Sequence, residues 1–108
     1  MEFHAHLYWQ TEKERQIVLA MRPTLKLLGA EVGNIHDVAV GPHVEPMYQV
    51  KYTTEIQEQV EHLLTTALRS PILLHESIKD DYRDHTENVR WLNKQLELKL
   101  EVFENTDE

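Results

Sequence analysis

Alternation gives way to helical spacing twice along this chain, and that order limits the folds open to it. From Glu2 to Trp9 the residues alternate, with Phe3, Ala5, Leu7 and Trp9 on one side and His4, His6 and Tyr8 on the other. A period of two predicts a strand with one apolar face. Thr11-Glu12-Lys13-Glu14 then reads as a capping box. Ile17, Val18, Met21, Leu25 and Leu28 follow at helical spacing, and Gly29 suits the position just past the helix end. Pro23 lies inside this stretch and predicts a kink or a split. A weaker strand is expected from Ile35, Val38 and Val40, after an opening at Gly33-Asn34. Gly41-Pro42-His43-Val44-Glu45-Pro46 marks a turn. Met47 to Tyr52 alternates as a third strand, with Tyr48, Val50 and Tyr52 on one side. Thr54-x-x-Gln57 offers a second capping box before the stripe Ile56, Val60, Leu63, Leu64, Ala67 and Leu68. Pro71 ends that helix, and Ile72 to Ser77 is a short fourth strand.

The order β-α-β-β-α-β predicts an α+β, ferredoxin-like sandwich: two helices on one face of an antiparallel sheet of strand order 4-1-3-2. Residues 1–104 make the single expected domain, and residues 105–108 a frayed tail. Beyond Ser77 lies a charged loop. Asp84-x-x-Glu87 predicts a short helix running to about Trp91–Asn93. Leu96, Leu98, Leu100 and Val102 alternate as a fifth strand, or as an arm to a second subunit.

Composition removes several classes of function. The 108 residues contain no cysteine, which excludes a disulfide scaffold, an iron–sulfur site and a thiolate zinc site. A formal charge of -8 argues against nucleic acid and anionic membrane as partners. No apolar run approaches the ~18 residues of a membrane span. The N-terminus lacks a signal-peptide pattern, so a cytoplasmic location is expected. What remains unusual is seven histidines in so short a chain.

His4 and His6 occupy alternate strand positions, so their Cα atoms stand about 6.5–7 Å apart on one face. That face is the one the helices leave open. In the order 4-1-3-2 the first and fourth strands are antiparallel neighbours, which brings His75 beside His4 and His6. Two or three imidazoles on adjacent strands suit Fe(II), Zn(II) or Mn(II). The bland alternative is a set of surface or half-buried histidines. If Asp84 caps the short helix, His85 falls in its first turn, where the helix dipole favours the neutral ring that a ligand or general base needs. An exposed first-turn histidine is the competing reading. His43 is expected at the opposite end of the sheet, about 20 Å away along a seven-residue strand, and can join only if its loop folds back or a second subunit supplies it. His36 and His62 look ordinary. Glu76, Asp80, Asp81 and Asp84 crowd the His75 end, either as a solvated loop or as the carboxylate of a two-histidine, one-carboxylate site.

The segments FHAHLYW, VGPHVEPMYQV and LLHESIKDDYRDHTENVRWL, taken in order, resemble the DOPA 4,5-dioxygenase family. The resemblance runs from about Phe3 to Leu100. It implies a ferredoxin-like fold and extradiol cleavage of L-DOPA or a related catechol by non-haem Fe(II) and O2. The positions matching the family motifs are His4, His6, His43, His75, His85 and Asp84. On this reading His4, His6 and His75 hold the metal and His43, His85 and Asp84 are the catalytic residues, with His85 or His43 as the proton carrier. Tyr8 is expected to contact substrate, with Arg83 and Arg90 as candidate cations for a substrate carboxylate. After His75 the family pattern has a proline and a Thr-Gly before the acidic pair; here Glu76-Ser77-Ile78-Lys79 stands instead.

A second hypothesis keeps the fold without the chemistry. Ferredoxin-like domains pair through an open sheet face, and fold does not fix function. The leucines of the fifth strand then seal a homodimer, which is also the expected assembly of the enzyme. Metal content separates the two readings.

Overall fold

A computed structural model describes residues 1–39, 41–77, 83 and 89–100. Its elements follow in the order β1 (Glu2–Tyr8), α1 (Glu12–Ala20), α2 (Arg22–Leu27), β2 (Glu31–Val32), β3 (Met47–Thr53), a 3-10 turn (Thr54–Ile56), α3 (Gln57–Ala67), β4 (Ile72–Glu76) and β5 (Val89–Leu92). The five strands form one sheet in the order β2-β3-β1-β4-β5, antiparallel at every pairing. Read from the other edge, this is the predicted 4-1-3-2 order with a further strand added beside β4.

The first helix begins where the capping pattern places it. Thr11 Oγ1 accepts the Glu14 N–H at 3.1 Å, while Glu14 Oε1 reaches back one residue further than the standard box, to the Gln10 N–H at 2.8 Å. Pro23 splits the helical stretch at Met21, and the proline sits in the first turn of α2, where its missing N–H costs nothing. Gly29, at φ 100, ends α2 in a Schellman motif: its N–H binds the Lys26 carbonyl and the Ala30 N–H binds that of Leu25. The helices cover the expected face. Val18, Leu25, Val60 and Leu64 pack on Ala5, Leu7, Val50 and Leu74, and all eight are buried. Each fully buried aliphatic side chain contributes roughly 1.5–3 kcal/mol.

Three expectations are corrected. The second strand is Glu31–Val32 rather than a strand opened at Gly33-Asn34; Ile35 and Val38 are exposed, among the described residues of that stretch only His36 regains the sheet edge, in a bridge to Met47, and Val40 lies outside the described residues. Thr54 does not cap a helix: residues 54–56 form a 3-10 turn, and α3 starts at Gln57 with no side-chain cap. The fifth strand is Val89–Leu92, where a helix was expected. Asp84 and Glu87, the proposed cap of that helix, lie outside the described residues, as does the expected tail at 105–108. The leucines read as a fifth strand serve differently. Leu96 is buried with Tyr8, Met47 and Leu73, and Leu98 packs against the same group. This second, smaller core closes part of the sheet face that the helices leave open.

Candidate metal centre

The pleat of β1 aims Glu2, His4, His6 and Tyr8 at the face away from the helices. In register, His4 lies opposite Lys51 of β3 and His75 of β4, and His6 opposite Gln49 and Leu73. Adjacent strands thus deliver three imidazoles to one spot. His6 Nε2 stands 2.9 Å from His75 Nε2. The ring centroids of His4 and His75 are 5.2 Å apart, and those of His6 and His75 are 5.0 Å apart. Each of the three offers a nitrogen within 4.8 Å of the others. His6 and His75 are buried, at 2% and 3% exposure, and His4 is half-buried.

Their separation matches what an ion needs. Two donors about 2.1 Å from one ion and at right angles to each other stand about 3.0 Å apart. The two Nε2 atoms already have that spacing. His75 Nδ1 lies 3.2 Å from the Glu76 carbonyl oxygen, the contact that fixes an N–H on Nδ1 and leaves Nε2 as the base. The donor set is all nitrogen and neutral, which suits a first-row divalent ion. Three histidines on one side of an ion leave its other positions open.

His43 does reach this face, contrary to the distance expected along the strand. Its loop does not extend β3 but folds back over the sheet. Gly41 takes φ 53, the Pro46 carbonyl accepts the Trp9 N–H at 3.2 Å, and the Pro42 carbonyl accepts the Lys99 N–H at 2.7 Å. Held at both ends, the loop lays the His43 ring 4.5 Å from that of His6 and buries it. The Tyr8 hydroxyl oxygen lies in hydrogen-bond contact with His43 Nδ1 at 2.6 Å. Burial pushes the Tyr8 phenol well above its usual range, so it stays protonated. Tyr8 therefore stands behind His43 and has no exposed surface with which to meet a substrate directly.

Beside the cluster opens a cavity of about 300 Å³, lined by His6, His43, Asn34, His36, Met47 and Gln49, with Gly33 at its edge. Gly33 packs closely there: a Cβ would stand 3.2 Å from the Gln49 carbonyl oxygen, tighter than ordinary van der Waals contact. Sequence reasoning passed over Asn34, His36 and Gln49. The alternation of β3 places Gln49 on the histidine face, which was a usable signal; the approach of the 33–36 loop was not legible.

Arg90 is corrected by its strand. It lies opposite Leu74, on the helix-covered face, and binds Glu61 of α3 at 2.7 Å, away from the histidines. Glu76 lies opposite Phe3 and so also belongs to that face. Arg83 is exposed. His85, Asp84, Asp80 and Asp81 lie outside the described residues. Glu2, which no motif singled out, places Oε2 3.1 Å from His4 Nε2.

A ferredoxin-like sheet with an imidazole cluster that could hold a metal ion on the face opposite its helices, and a cavity beside that cluster, defines a small α+β protein with a candidate metal site. The sequence matches the model of the Dopa 4,5-dioxygenase family over residues 3–102, and the chain belongs to that family. Among solved structures it is similar to a Nostoc punctiforme protein described as "a putative dioxygenase", with 28% identity, a TM-score of 0.90, and coverage of 98% of this chain and 93% of that one. No curated protein matches the sequence. No helix among the described residues is long and apolar enough to cross a membrane.

Proposed function

We propose that this chain is a non-haem Fe(II) dioxygenase that opens the ring of a catechol by extradiol cleavage. The observation that carries the reading is the convergence of His4, His6 and His75 from two neighbouring strands, with two of their Nε2 atoms 2.9 Å apart. Family membership supports the reaction class. His4, His6 and His75 would hold the ion, which supplies a template for catechol and O2 and a sink for developing charge.

The chain's own groups do the rest. His43 is the proton carrier: its ring borders both His6 and the cavity, so a phenolic proton released there has an imidazole to receive it. For that role His43 carries its hydrogen on Nδ1 and donates it to the Tyr8 hydroxyl oxygen 2.6 Å away, which orients the ring and makes Nε2 the basic nitrogen. The cavity takes the aromatic ring, with Met47 against its face and the Gln49 and Asn34 amides for polar substituents. The buried cluster of Tyr8, Met47, Leu73 and Leu96 keeps water from the far side of the histidines.

The test is to load metal-free protein with Fe(II) under anaerobic conditions, add L-DOPA or another catechol, admit O2, and follow the visible absorbance of a ring-opened product. Product is expected with at least one catechol and none after His6→Ala. Failure across a catechol panel, with iron bound, refutes the reading.

A further inference from the structure

Glu2 has no part in the ligand set or in the proposed proton transfers, yet it is built into the site. It shares the face of His4 by alternation, and its Oε2 lies 3.1 Å from His4 Nε2. Its other oxygen lies 3.7 Å from Lys51 Nζ, which also approaches Glu31 at 3.5 Å. Glu2 does not belong to the group whose donor atoms all fall within 4.8 Å of one another. It stands one contact outside the cluster, against the ring of a residue inside it.

An ionised carboxylate only accepts hydrogen bonds. Contact with Glu2 therefore requires a hydrogen on His4 Nε2. A ligating imidazole is neutral, so its lone pair is then on Nδ1. His75 has the opposite arrangement, with Nδ1 at the Glu76 carbonyl and Nε2 facing His6. We infer that Glu2 is a positioning residue of the metal centre: it fixes His4 as the Nε2–H tautomer, so that His4 offers Nδ1 to the ion while His6 and His75 offer Nε2. A carboxylate on the far nitrogen also raises the basicity of the ligating one. Lys51 holds the second oxygen and keeps the acid aimed at His4. The inference rests on reading the three histidines as a metal site, not on the ring-cleavage reaction.

Zn(II) is the probe, because it is diamagnetic. Its affinity is measured by competition with a chromophoric chelator, and the His4 tautomer by long-range 1H–15N correlation in metal-free and Zn(II)-loaded protein. Wild type is expected to show the hydrogen on Nε2 in both states and the metal-induced shift on Nδ1. Glu2→Ala should lose roughly 10–100-fold in Zn(II) affinity and give a mixed tautomer in the metal-free state. Glu2→Gln retains an oxygen that accepts the Nε2–H, and should restore the tautomer and most of the affinity. Glu31→Ala removes a neighbouring charge without touching the Glu2–His4 contact, and should bind as wild type does. The backbone carbonyl of residue 2, which accepts the Ser77 N–H at 2.9 Å, survives every substitution. Unchanged affinity in Glu2→Ala, or a wild-type His4 ligating through Nε2, overturns the inference. A wild type that takes no Zn(II) overturns it together with the metal site. The expected affinities and tautomers without catechol cleavage uphold it while the reaction fails.

Discussion

Divalent metal should stabilise this protein by an amount that depends on His75. A ligand that binds only the folded state, supplied at a hundred times its dissociation constant, adds about 2.7 kcal/mol. An unfolding entropy of about 2.1 cal/mol/K per residue, over a chain of 108 residues, converts that into a rise in Tm of about 12 °C. His75→Ala takes away one of three convergent donors, the one whose Nε2 stands 2.9 Å from that of His6. If affinity falls about a hundredfold, the upper range for disturbing even an outer partner of a metal site, the same metal concentration stabilises by about 0.4 kcal/mol. The rise then shrinks to about 2 °C. The assay is calorimetry of metal-free protein with and without Zn(II), each variant compared with itself, since His75→Ala also loses packing in a buried site. His62, exposed on α3, supplies the control, and His62→Ala should keep the full rise. A full rise in His75→Ala, or its loss in His62→Ala, would place the metal elsewhere and refute the reasoning.

Two further outcomes follow from single contacts. Tyr8→Phe removes the hydroxyl that hydrogen-bonds His43 Nδ1 at 2.6 Å in a buried setting; a loss of about 1–3 kcal/mol in urea unfolding is expected, with slower catechol turnover and little change in Zn(II) affinity. Glu61 is desolvated on α3, which alone would raise its carboxyl, but hydrogen bonds from Arg90, Tyr52 and Gln57 outweigh this and hold it below the usual carboxylate range. A folded pKa below the unfolded one gives stability that is present above the unfolded value and lost as pH falls through the folded one. Tm measured across the acid limb should therefore fall less steeply in Glu61→Gln than in wild type.

The parts of the fold that were legible are those where one period runs uninterrupted. The alternation of Phe3 to Trp9 and of Met47 to Tyr52, and the stripe from Val60 to Leu68, report directly which side meets the core. β2 was not legible because its two residues are too few to show a period, and because the apolar Ile35 and Val38 are surface loop residues. The C-terminal segment misled for a different reason. Leucines at alternate positions from Leu96 look like a strand, but alternation records only that one side is covered. Leu96 and Leu98 are covered by the sheet face itself and pair with no strand. Val89 and Trp91 form the real strand, in register with His75 and Leu73, and their β-branched and aromatic side chains carried the weaker but correct signal.

The same contrast explains the site. His4, His6 and His75 could be placed together because strand order and antiparallel register are fixed by local pattern. His43 could not, because its position depends on a loop held by tertiary bonds, from Trp9 to Pro46 and from Lys99 to Pro42. The bond from Lys99 links the two late corrections. The segment that was expected to add a strand instead crosses the open face, plugs one end of it with Leu96 and Leu98, and at Lys99 pins the loop that carries His43. Along β1 the face then grades from half-buried Glu2 and His4, through buried His6, to Tyr8 with no exposed surface. An ion held at the histidines would meet solvent and an acid on one side and an apolar wall on the other. Electrostatic interactions strengthen toward that wall as the effective dielectric falls. The placement of His43 between the cluster and the plug is thus a product of the same C-terminal segment that makes the wall.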